Sequence, residues 1–149
     1  MKQTLAAALL AGAFAFGLGA ETAQAQLGFA GLLSRTNRED LPEITLASGK
    51  PVAEQTYNLI SGKYYRVKLV ADGSAELALS GGDFFRAIWI NEIVINKIEI
   101  RPMGVHSIEF DAAGEALISF VAVVPGTYHL SIPGSSGESQ RATFVITGQ

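Results

Sequence analysis

From Pro42 onward the chain alternates apolar and polar residues with a period of two, and Gly/Pro turns interrupt the alternation at short intervals. Tyr65, Val67, Leu69 and Ala71 alternate with Tyr64, Arg66, Lys68 and Val70; Leu77 and Leu79 alternate with Glu76, Ala78 and Ser80. Val105 to Phe110 and Ala142 to Ile146 repeat the pattern. Successive side chains of a strand point to opposite faces, so this alternation marks half-buried strands. Asp72-Gly73, Gly81-Gly82, Pro102-Met103-Gly104, Ala113-Gly114, Pro125-Gly126 and Pro133-Gly134 supply the turns between them. Many short strands at such spacing predict an all-β chain, an antiparallel Greek-key β-sandwich. No stretch after residue 40 carries helical periodicity.

Two segments are apolar on both faces. Ala116 to Val124 is one, and it belongs at the centre of a sheet. Ile88 to Ile100 is the other; its phase slips between Ile95 and Ile98, which predicts a bulge or break near Asn96-Lys97. The expected core comprises Tyr65, Val67, Leu69, Leu77, Leu79, Ile108, Phe110, Ile118, Phe120, Tyr128, Leu130, Ile132, Phe144 and Ile146.

Residues 1–25 read as a signal peptide: Lys2, an apolar run from Leu5 to Leu18, and the small-x-small motif Ala23-Gln24-Ala25. The cut is placed after Ala25, with Ala20 as the other candidate. The run is shorter than the roughly 20 residues of a membrane span, and no cysteine follows it to carry a lipid. The expected product is an exported, periplasmic protein with no membrane span after cleavage. Residues 26–41 then form a flexible arm, and 42–149 a single domain.

Composition narrows the chemistry. The 149 residues include no cysteine, which excludes disulfides, thiol catalysis, iron–sulfur clusters and thiolate copper. A formal charge of −3 lacks the electrostatic footprint of nucleic-acid binding. Asp72, Asp83, Asp111 and Glu115 lie in or beside turns without calcium-loop spacing. No nucleophile-elbow motif is present, and an enzyme is the weakest of the classes weighed.

The C-terminal half resembles the cupredoxin family. Phe120-Val121-Ala122-Val123-Val124-Pro125-Gly126-Thr127-Tyr128-His129-Leu130-Ser131-Ile132 is similar to its penultimate strands, and Gln140 to Ile146 to its last. The family's copper site takes two histidines, a cysteine and an axial ligand, usually methionine. At those positions the resemblance places Phe85, Ile132 and Ser135, with Gln140 about where the axial ligand falls. It therefore implies a cupredoxin-like sandwich without the electron-transfer centre and with no cofactor.

The expected function is a non-catalytic binding or accessory module whose partner is another periplasmic or membrane-bound protein. Phe84, Phe85 and Trp89, beside the Gly81-Gly82-Asp83 turn, are the candidate contact patch; the same residues also read as core and edge packing. The alternative is a colourless copper carrier built on Met103 and His106, with His129 as a further ligand, since thioether and imidazole both suit copper(I). Tyr128 is expected to bond backbone across the fold as a corner residue.

Overall fold

The computed structural model describes residues 31–148. The expected signal peptide and residues 26–30 of the expected arm lie outside them.

Two sheets form the molecule. In the first, β4 (Tyr64–Ala71) pairs antiparallel with β9 (Gly114–Ala122), from Tyr64↔Val121 to Ala71↔Gly114. β9, apolar on both faces, is central as expected: β6 (Ile88–Ile95) lies on its other side. The register slips between Ile90 and Glu92, so the bulge sits at Asn91. At Asn96-Lys97 the chain instead reverses into β7 (Ile98–Ile100). Both turn residues have positive φ, 47° and 68°, the signature of a type I′ hairpin. The phase slip read from the sequence is this reversal. On the far edge of β4, β1 (Arg38–Asp40) and β2 (Ile44–Leu46) lie end to end. Pro42, which has no amide hydrogen to donate, falls in the gap between them.

The second sheet has the order β3 (Tyr57–Ile60), β11 (Arg141–Thr147), β10 (Gly126–Ser131), β5 (Leu77–Ser80), β8 (Ser107–Phe110). β10 and β11 pair over six residues, whereas β5 meets β10 at one position, Ser131↔Ser80.

Three findings correct the sequence reading. The sheets are mixed rather than antiparallel, because β1 and β2 run parallel to β4, and β3 runs parallel to β11. Alternation reports which face a residue takes and is silent on strand direction. Strand pairing also begins at Arg38, inside the expected arm, where Arg38 to Asp40 align with Tyr64 to Arg66. Finally, a helix, α1 (Gly82–Ala87), follows β5. At six residues it is under two turns, too short to show a 3.6-residue period.

The core lies between the sheets. Tyr65, Val67, Leu69, Leu79, Ile118, Phe120, Leu130, Phe144 and Ile146 are buried as expected. Leu77, Ile108, Phe110, Tyr128 and Ile132 are half-buried at its margin. Phe84 fills the middle: its ring stacks on Phe144 at 4.1 Å and meets Phe120 edge-on at 5.8 Å.

The strands run between two ends. One end gathers the β3–β4 turn, the α1–β6 junction and the β9–β10 turn. There Ser61 Oγ donates to Val123 O at 2.7 Å, and the Val123 and Val124 amides both donate to Ala87 O. The Asn37 side chain ties the incoming chain to the same end through Gly62 O at 3.1 Å. The other end carries the β4–β5, β6–β7 and β8–β9 turns.

Candidate functional site

After β5 the chain must pass close to β10 before it can coil into α1. Gly81 makes that passage: a Cβ there would stand 2.3 Å from His129 O and 2.6 Å from Leu130 Cδ2. The Gly81 amide donates to His106 O at 3.1 Å, so the residue is held between β10 and the segment leading into β8. Because a helix takes the place of a continued β5, an open cleft of about 530 Å³ remains between α1 and β10. Gly82, Asp83 and Arg86 line one wall, and Thr127, Tyr128 and His129 the other. Arg86 Nη1 donates to Asp83 Oδ1 at 3.0 Å, keeping both charges at the rim. This cleft escaped the sequence reading because it depends on α1.

Tyr128 holds the end of this cleft by a local bond. Its hydroxyl donates to Val124 O and Pro125 O, both at 3.2 Å, not to backbone across the fold as expected. Gly126, at φ 155°, permits the ring to fold back: a Cβ there would lie 2.7 Å from the Tyr128 hydroxyl oxygen. That conformation is one L side chains avoid.

The three aromatic candidates separate. Phe84 is 1% exposed and belongs to the core, which corrects its assignment to a contact patch. Its place in α1 turns it inward between the sheets. Phe85 is 7% exposed but lines a second, smaller groove of about 230 Å³ with Ile88, Ile90 and Pro102. Trp89 and Met103 complete that groove and are its exposed members: Trp89 is 50% exposed, and Met103 is fully exposed. Strand alternation explains the contrast between Ile88, which points inward, and Trp89, which points out opposite Val121.

The candidate copper ligands lie in three settings. Met103 belongs to the Trp89 groove. His106, exposed just before β8, lies beside Gly82 with its Nδ1 3.5 Å from Ser80 Oγ. His129 sits on β10, its Nδ1 3.1 Å from Thr143 Oγ1 on β11. The two histidines thus flank Gly81-Gly82 from opposite sides. At the positions matched to the family's copper ligands, the Ile132 amide donates to Gln140 O, and Ser135 Oγ donates to Ile132 O at 2.6 Å. Those residues close a loop upon itself.

A carboxylate trio at the far end was also missed. Oxygens of Glu76, Glu109 and Asp111 lie within 4.8 Å of one another, all exposed. Cross-strand pairing of Leu77 with Phe110 brings them together, and sequence distance hides it.

No family model and no curated protein matches the chain. Among solved structures, it is similar to a copper nitrite reductase from Nitrosomonas europaea, at 18% identity over 64% of this chain and 33% of that one, with a TM-score of 0.50. It is similar also to a multi-copper oxidase from Pseudomonas thermotolerans, at 12% identity over 76% of this chain and 31% of that one, with a TM-score of 0.52. The chain has a cupredoxin-like fold. It spans about a third of each of these proteins, and it has no cysteine for a blue-copper site.

Proposed function

We propose that the protein is an exported, non-catalytic binding or accessory module that uses a cupredoxin-like frame for contact with another periplasmic or membrane-bound protein. The half-exposed Trp89 beside the fully exposed Met103, on the wall of a groove floored by Phe85, carries this reading. Large aromatic side chains at a groove are what interface hot spots are made of. The net charge of −3 speaks against nucleic acid. A photo-crosslinking residue placed at Trp89 or Met103 in cells is expected to trap a discrete partner, while the same residue at Lys97, at the far end, traps none. Equal labelling from all three positions would remove the reading.

A second reading has its own observation: Met103 and His106 are both exposed within one loop. Copper carriage by these two, with His129 or a second chain completing the set, is the form it takes. Titration of the metal-free protein with Cu(I) against a competing chelator tests it. Sub-micromolar binding lost in His106→Ala would favour it, and equal weak binding in both proteins would end it.

A further inference from the structure

Exposed apolar residues occur at both ends, with Ile95, Ile98 and Ile100 on the β6–β7 hairpin of the far one. Ile60, Val123, Val124 and Leu33 cluster at the end where the β3–β4 and β9–β10 turns meet and the N-terminal chain enters. Val123 and Val124 are each 47% exposed on the tip of their turn. Charge is uneven. The same end carries Arg35, Arg38, Lys63 and Arg86, with Glu39 bonded to Lys63, Asp83 to Arg86, and Asp40 shared between Arg38 and Arg66, which leaves an excess of positive charge. Asp72, Glu76, Glu109, Asp111 and Glu115 surround the turns of the opposite end. The sequence that leads into Gly31 is itself apolar, with Leu27 and Phe29.

We propose that this end is a membrane-docking tip that seats on a bilayer surface bearing anionic headgroups. Protruding apolar side chains on turns, rimmed by cations, fit the boundary between headgroups and acyl chains. An acidic far end turns the molecule so that its basic end faces the anionic surface. Trp89, paired with Val121 one step in from the tip, falls where indole rings favour the interface.

The vesicle test does not depend on the Trp89 groove reading, because vesicles contain no protein partner. The protein, as processed and released by the cell, is mixed with vesicles of phosphatidylcholine alone or enriched in phosphatidylglycerol. Co-sedimentation and a blue shift of Trp89 emission are expected with the phosphatidylglycerol vesicles and are expected to weaken with salt. The double variant Val123→Glu/Val124→Glu should bind at least about tenfold more weakly. Lys63→Glu should weaken binding in phosphatidylglycerol vesicles, and Ile98→Glu, at the far end, should leave it unchanged. All four positions are at least partly exposed, and circular dichroism checks that each variant keeps its strands. Absence of vesicle binding overturns the proposal, as does binding indifferent to the tip variants. Loss of a crosslinked protein in the tip variants, with vesicle binding intact, would assign the tip to a protein interface and overturn it equally.

Discussion

Ser119 faces outward from β9, between Arg66 of β4 and Glu92 of β6, yet it is fully buried and its hydroxyl has no hydrogen-bond partner. An unsatisfied buried hydroxyl costs stability, so Ser119→Ala is expected to leave the fold as stable or more stable by up to about 1 kcal/mol. Urea denaturation measures this; a loss of that size would mean the hydroxyl has a partner. Phe84→Ala should cost about 3–5 kcal/mol, since a ring stacked at 4.1 Å on Phe144 leaves a cavity in the middle of the core. Tyr57 is buried against Phe144, and burial pushes its phenol up from 10.0 to about 12. The folded state favours the neutral form, so this contribution is fully present below about pH 10 and is lost as pH rises through about 12. Tyr57→Phe keeps the stacking and removes the titration. Its denaturation midpoint should fall less than that of the wild type across that alkaline range. Adjacent aromatics such as Phe84 and Phe85 are indistinguishable by composition; both are buried in the core, and only the path of α1 shows that Phe84 stacks at its middle while Phe85 also lines the groove.

The β6–β7 hairpin turns on two residues with positive φ, neither of them glycine. Lys97→Gly relieves the steric cost at φ 68° and should stabilise the protein by about 1 kcal/mol, as read from the urea midpoint. No gain would place the strain elsewhere. The strands with clean alternation, β4 and β11, were legible from their residues, as was β9 by its two apolar faces. Strand direction was not, because Ile44 and Leu46 alternate identically whether β2 runs with β4 or against it. β1 escaped because Arg38-Glu39-Asp40 has no apolar face at all; its backbone pairing and the Asp40–Arg66 contact, at 2.7 Å for each oxygen, hold it in place. The contact keeps the Asp40 carboxyl below the usual range, but with exposed side chains it is worth at most about 1 kcal/mol.

Across the whole molecule, the frame was readable and the contact surfaces were only half so. Trp89 and Met103 were visible as residue types, but their shared groove forms because the chain after β7 returns beside the start of β6. The basic and apolar end is assembled from turns scattered between Leu33 and Val124, and no local window of sequence contains it. The position of β11 has a consequence in time. It is the last strand among the described residues, yet it lies between β3 and β10, bonding Tyr57 to Phe144 on one side and Gly126 to Ile146 on the other. A chain made from its N-terminus forward therefore leaves β3 without a neighbour until residues 141–147 arrive. Cooperative folding must wait for β11, and it should be slow for so small a domain, because its decisive pairings join distant residues. A chain stopped before Arg141 should show no cooperative thermal transition.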